Sequence, residues 1–179
     1  MMRRFSFVLL VVFLSFLSGC AASGPGPKEL IGKMAPWTKF TTLEGGWLSI
    51  EELRGKTAVV VFWASWCAKS RKKLSRLGLF AEQFAGRSDV VFVDASIDKA
   101  EKLEDVQNLI TYGSFGRFRH CFSGNEYYDE AYISFRGDEL PYIIIINPDG
   151  QVVDSGNDDE MVYKYFGVDP DSVPRITGP

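Results

Sequence analysis

The chain predicts a three-layer α/β domain, and three observations carry that prediction. Short apolar, β-branched runs alternate with amphipathic helical stretches in the order β-α-β-α-β-α-β-β-α. Tyr142, Ile143, Ile144, Ile145 and Ile146 form an uninterrupted apolar run, the pattern of a central strand buried on both faces. Residues 57–62 (Thr-Ala-Val-Val-Val-Phe) run straight into a segment where Leu74, Leu77, Ala81 and Phe84 recur at helical spacing. A buried strand there feeds a helix.

The elements follow in order. Residues 38–42, the turn Glu44-Gly45-Gly46 and residues 47–49 read as a small hairpin, leading into a short helical turn over 50–53. The strand at 58–63 and the helix at 68–85 come next. Residues 89–95 (Asp-Val-Val-Phe-Val-Asp-Ala) give a second buried strand, and 99–112 a charged amphipathic helix. A third strand is expected over 118–122 and a helix over 126–135. Pro141 opens the apolar strand 142–146. Asn147-Pro148-Asp149-Gly150 is a turn signal, residues 151–154 close a hairpin with that strand, and a last helix covers 158–166.

The N-terminus reads as an address. Arg3 and Arg4 form a basic start, and residues 5–17 are almost wholly apolar yet too short for a comfortable membrane span. The stretch ends Leu17-Ser18-Gly19-Cys20, which resembles a bacterial lipobox and implies removal of residues 1–19 with lipid carried on Cys20. Alanine rather than aspartate at position 21 points to outer-membrane attachment where the cell has an outer membrane. Residues 20–29 then hold the lipidated Cys20 and a flexible tether, Ala-Ser-Gly-Pro-Gly-Pro at 22–27, and residues 30–179 form one domain. The expected location is the cell envelope, lipid-anchored on the periplasmic side.

With 20 basic and 23 acidic residues, and two of the basic ones in the leader, the remainder is mildly acidic. No long basic run or basic-aromatic stripe points to nucleic acid. Three cysteines and one histidine leave nothing for a zinc or haem site, so no metal or cofactor is expected. With Cys20 lipidated, Cys67 and Cys121 are the remaining thiols, in a compartment that permits disulfides.

The chemistry concentrates in Trp63-Ala64-Ser65-Trp66-Cys67-Ala68-Lys69-Ser70. Cys67 falls in the first turn of the helix, where free amides and the positive dipole end favour the reactive thiolate. A second cysteine three residues on would release a mixed disulfide formed by the first; that position is Ser70. Ser70 is expected to donate a hydrogen bond to Cys67, and Lys69, Arg71, Lys72 and Lys73 add positive charge nearby.

From residue 31 to 153 the chain resembles the TlpA-like, membrane-anchored thioredoxins of the bacterial cell envelope. The residues that carry the resemblance are Ile31-Gly32-Lys33-Met34-Ala35-Pro36, Leu53-Arg54-Gly55-Lys56, the block from Phe62 to Cys67, and Pro141 ahead of strand-turn-strand. The resemblance implies a thioredoxin-like fold with a central mixed sheet, Trp66 and Cys67 exposed at its edge, Pro141 cis and facing them, and a specificity-bearing insertion within 112–142. The family pattern Trp-Cys-x-Pro-Cys-Arg-x-Glu-x-Pro becomes Trp66-Cys67-Ala68-Lys69-Ser70-Arg71-Lys72-Lys73-Leu74-Ser75 here. Both prolines, the resolving cysteine and the acid are absent, so dithiol chemistry within the motif is excluded and a monothiol site remains.

Cys121 is a candidate distal resolving cysteine, against the alternative of a buried small apolar residue. His120 is its neighbour on a strand, so the two side chains point to opposite faces and do not form a dyad. Core packing accounts for most of Phe115, Phe118, Phe122, Tyr127, Tyr128, Tyr132 and Phe135, with a partner surface as the alternative.

Three functions compete. The first is a cell-envelope monothiol protein, an enzyme of thiol-disulfide exchange, acting through Cys67 on client proteins or small thiols. The second is a thioredoxin-fold binding module without catalysis. The third is a one-cysteine peroxidase: Ala64-Ser65-Trp66-Cys67 resembles the glutathione-peroxidase Ala-Ser-x-Cys signature, but its downstream glutamine and tryptophan blocks and the peroxiredoxin Pro-x-x-x-Thr-x-x-Cys are absent.

Overall fold

The computed structural model describes residues 27–113 and 115–174. The leader, Cys20 and the tether up to residue 26 lie outside the described residues. The described chain opens with a 3-10 turn, Pro27–Leu30, whose Leu30 is buried.

A five-stranded sheet forms the centre, in the order β5-β4-β3-β6-β7. Its strands are β3 (Thr57–Trp63), β4 (Val90–Ser96), β5 (Phe118–Phe122), β6 (Tyr142–Ile146) and β7 (Val152–Gly156). β3 pairs parallel with β4, and β4 with β5; β6 runs antiparallel to β3, and β7 to β6. The sheet is therefore mixed, as the family resemblance implies, and β3 is where its direction changes. A separate hairpin, β1 (Lys39–Thr41) and β2 (Trp47–Ser49), precedes a 3-10 turn over Ile50–Leu53. Beyond β1, Thr42 bridges to Cys121 and the Leu43 amide donates to the His120 carbonyl at 2.9 Å, partly covering the edge of β5.

Alternation along β3 builds two cores. Val59, Val61 and Trp63 face α1 (Ala68–Ala81), α2 (Leu103–Tyr112) and α4 (Glu160–Tyr165), meeting Leu74, Leu77, Phe80, Val106 and Tyr163. Ala58, Val60 and Phe62 face the hairpin and α3 (Glu130–Ser134), meeting Phe40, Leu48, Tyr132 and Phe135. β6 is buried at all five positions, since both layers press on it.

Two expected helices differ in detail. The helix expected over 126–135 is broken: Glu126 has a positive φ of 51°, and Asp129, with extended backbone, accepts the Tyr132 amide at 2.7 Å and starts α3 afresh. The helix expected over 99–112 begins as a 3-10 turn and becomes α-helical only at Leu103. At its far end Gly113 is required by close approach, because a Cβ there would lie 2.5 Å from the Phe115 ring.

Candidate active site

β3 ends at Trp63, and four residues later Cys67 caps α1. The connection is a tight turn: the Cys67 amide donates to the Ala64 carbonyl at 3.1 Å, and the Cys67 carbonyl accepts from the Arg71 amide at 3.0 Å. Cys67 has extended backbone dihedrals (φ −91°, ψ 102°) and begins the helix without a side-chain cap bond. Its side chain is half-buried against the core cluster of the hairpin face, while its neighbour Trp66 is 55% exposed. The Leu140–Pro141 peptide is cis, and Pro141 is buried at the start of β6.

Asp98 and Ser96, which the sequence pattern does not mark, hold this turn in place together with Arg71, marked there only for its charge. Asp98, buried just beyond β4, accepts from the Ser65 amide (2.7 Å), the Ser65 hydroxyl (2.7 Å) and the Ser96 hydroxyl (2.8 Å). Arg71 reaches back from α1 to donate to the Ser65 carbonyl at 2.5 Å. The turn that presents Cys67 is thus pinned from the sheet and from the helix. The available signal was a carboxylate immediately after a strand that runs parallel to β3, at the end where strand-following turns build sites.

Ser70 is completely buried on the inner face of α1 with Leu74 and Leu77, and its hydroxyl has no hydrogen-bond partner. The expected Ser70–Cys67 hydrogen bond is not formed. Ser70 looks into the protein from the helix proper, whereas Cys67 sits outside it with extended backbone.

The four expected cations divide. The Lys73 ammonium pairs with Asp158 at 2.7 Å and Asp159 at 3.1 Å, and Arg76 pairs with Asp159 at 2.9 Å. Lys73 is therefore committed to α4 rather than to the thiol. The Lys73 hydrogen bond holds the Asp158 carboxyl below its usual range. Tyr163 donates to Asp159 at 2.8 Å, and burial together with that carboxylate pushes its phenol up. Lys69 and Lys72 are exposed and form no ion pair among the described residues.

Cys121, the candidate distal resolving cysteine, is a buried core thiol. It is 3% exposed within the hairpin-side core, and both it and Cys67 are free thiols. It lies level with Ala95 and Phe62, two strands from β3, hence about 10 Å from that strand's axis at the usual strand spacing. Burial pushes the Cys121 thiol far up, and the charge of Asp94 adds to this.

His120 points to the opposite face, as alternation requires. Its Nδ1 lies 2.6 Å from an Asp94 oxygen, and the Trp63 indole N–H donates to the other at 3.3 Å. Burial raises the Asp94 carboxyl, against the opposing pull of His120. Burial lowers His120, but the Asp94 hydrogen bond and charge outweigh it and the net shift is upward. Of the aromatics in the 112–142 region, Phe115, Phe118, Tyr132 and Phe135 are core residues, while Tyr127 and Tyr128 are exposed. Among the described residues no group of His, Cys, Asp and Glu is arranged to hold a metal, and no helix is long and apolar enough to cross a membrane.

A mixed sheet with this strand order and a half-buried cysteine capping the helix after its central strand define a thioredoxin-like α/β protein. Residues 31–155 match the AhpC/TSA family, and the chain belongs to it. It is similar to the thioredoxin-like protein YneN of Bacillus subtilis, 32% identical over 72 residues, which are 40% of this chain and 42% of that protein's length. In fold it is similar to a thiol-disulfide oxidoreductase from Bacteroides fragilis (TM-score 0.67, 19% identity, 75% of this chain and 98% of that one). It is also similar to a secreted disulfide oxidoreductase of Mycobacterium tuberculosis homologous to Escherichia coli DsbE (TM-score 0.59, 18% identity, 73% and 94%).

Proposed function

We propose that the chain is a cell-envelope, lipid-anchored thioredoxin-like protein that performs thiol-disulfide exchange with client proteins or small thiols through Cys67 alone. The observation that carries this reading is the position of Cys67: half-exposed at the head of a 14-residue helix, beside an exposed tryptophan, on a turn pinned by Asp98 and Arg71.

The Cys67 thiolate attacks one sulfur of a partner disulfide. A new S–S bond forms, the old one breaks, and its electron pair leaves on the partner's second sulfur. The mixed disulfide is then released by an external thiolate, from the client or from a small thiol, because Ser70 has no electron pair of comparable nucleophilicity to offer. Lys73 takes no proton-transfer part, since it is held by Asp158 and Asp159.

The test is trapping. Chain purified from envelope membranes under acid quench and alkylation is expected to carry mixed disulfides, and Cys67→Ser to abolish them while Cys121→Ser leaves them. Loss in the Cys121→Ser variant, or persistence in Cys67→Ser, would sink the assignment. Absence of any disulfide, with the fold intact, would leave the non-catalytic binding module. The envelope placement is tested separately: metabolic labelling with a fatty acid is expected to mark the chain and to fail in Cys20→Ala.

A further inference from the structure

The β1–β2 hairpin turns an aromatic face outward. Burial alternates along β1 and the residues just before it: Thr38 and Phe40 are buried, while Trp37 and Lys39 are exposed. The Ile50 amide donates to the Thr38 carbonyl at 3.2 Å, so the extended pairing reaches past the end of β1 toward Trp37. In β2 Leu48 is buried and Trp47 exposed. Trp37 is 77% exposed and Trp47 59%, and the Lys39 ammonium lies 3.9 Å from the centroid of the Trp47 ring. Lys39 is the one charged residue of the two strands. Glu52, in the turn that follows, is bent back onto the Ser49 amide and hydroxyl. Large apolar side chains scattered singly over a surface need no partner, but two indoles on one small face mark an interaction surface.

The chain enters the domain on the same side of the sheet. Leu30 packs into the hairpin-side core with Phe40 and Leu48, and Glu29 pairs at 3.2 Å with Arg136, just past the end of α3. Seven residue steps separate Pro27 from Cys20. Even fully extended they span at most about 25 Å, less than the roughly 40 Å diameter of a compact domain of this size. With lipid on Cys20 the domain stays within that reach of the bilayer, and the layer that holds its entry point is the one the tether draws toward the lipid.

We propose that the outer face of the hairpin docks on the lipid bilayer, with the Trp37 and Trp47 indoles in the headgroup layer and the Lys39 ammonium at the level of the lipid phosphates. The inference rests on the lipid anchor at Cys20 proposed above and adds a second membrane contact to it. Tryptophan suits this place because its ring is apolar while its N–H needs a polar partner, and the interface supplies both. Lysine lays its methylene stem along apolar surface and keeps its charge among the phosphates. A face too weak to hold lipid by itself is sufficient once the anchor keeps it at high effective concentration. The five-stranded sheet then lies between the bilayer and the layer of α1, α2 and α4, and the domain keeps one orientation on the membrane.

The experiment uses the full-length chain isolated from bacterial membranes and reconstituted into phosphatidylcholine vesicles, their acyl chains either unmodified or brominated just below the headgroups. Bromine quenches an indole only near contact, so lost tryptophan fluorescence reports which rings enter the bilayer. The brominated vesicles are expected to quench the unsubstituted chain. The double variant Trp37→Phe, Trp47→Phe is expected to lose that quenching, each single variant to lose part of it, and Trp66→Phe to retain it. All three side chains are exposed, so the fold is expected to survive each change, with circular dichroism as the check. An unquenched chain overturns the docking and leaves this face to a protein partner. Quenching that persists in the double variant, or vanishes in Trp66→Phe, puts another part of the domain on the bilayer and overturns it too. The intact mass of the same preparation reports the lipid on Cys20. Absent quenching in a lipidated chain overturns the docking alone, whereas a chain without lipid overturns the anchor and the docking that rests on it.

Discussion

Ser70 occupies the place of a resolving cysteine, yet its surroundings are those of a core residue. A buried hydroxyl without a partner costs about 1–3 kcal/mol relative to one that is satisfied. Ser70→Ala, which removes that hydroxyl from a helix interior, is therefore expected to stabilise the chain by about 1 kcal/mol in urea unfolding. Ser70→Cys loses no hydrogen bond, so the fold should tolerate it. The new thiol stands three residues from Cys67, across one helical turn, and an intramolecular disulfide is expected under mild oxidation, read as two blocked thiols in alkylation mass spectrometry. If none forms, the two positions do not share a working site. At this scale the sequence identified the nucleophile and missed its supports. Cys67 was legible because it follows a buried strand and starts a helix. Asp98 and the structural role of Arg71 were not, because both act on the Ser65 main chain, its amide donating to Asp98 and its carbonyl accepting from Arg71, and main-chain partners leave no trace in a residue pattern.

Between elements, α1 and α4 are joined by a buried charge cluster that no local spacing reveals. Lys73 and Asp158 are separated by 85 positions, and only the packing of both helices on one sheet face brings them together. Asp159, 1% exposed, serves Lys73, Arg76 and the Tyr163 hydroxyl at once. Asp159→Ala leaves two mostly buried cations without their shared counter-charge and is expected to cost about 3 kcal/mol, seen as a lower urea midpoint with an unchanged slope. A loss within about 0.5 kcal/mol would show that water replaces the carboxylate. Strand periodicity was legible at this scale: 118–122 and 142–146 were read to the residue. Helix continuity was less so, because Asp129 can stand mid-helix or cap a new one, and only the Tyr132 amide decides which.

For the whole molecule, the mixed sheet and its two covered faces followed from apolar patterning and from the family resemblance. The Asp94–His120 pair did not, because it joins β4 to β5 through one register alignment. That pair makes global stability depend on pH in a definite direction. His120 titrates higher in the folded chain than its ordinary value of about 6.5. The folded state therefore holds a proton that the unfolded state releases, and the stabilisation is complete below about pH 6.5 and lost as pH rises through the folded value. Asp94, raised chiefly by burial, has the same sign, since its proton too is held more tightly when folded. No opposing contribution comes from this pair, so the urea midpoint is expected to fall as pH rises above about 6.5, at up to about 1.4 kcal/mol per pH unit for one proton. His120→Gln leaves Asp94 buried without its partner and should cost about 3 kcal/mol near pH 6. The double variant Asp94→Asn, His120→Gln should recover part of that loss and flatten the profile across the same interval. A profile that rises with pH in the unsubstituted chain, or one equally steep in the double variant, would place the proton elsewhere in the molecule.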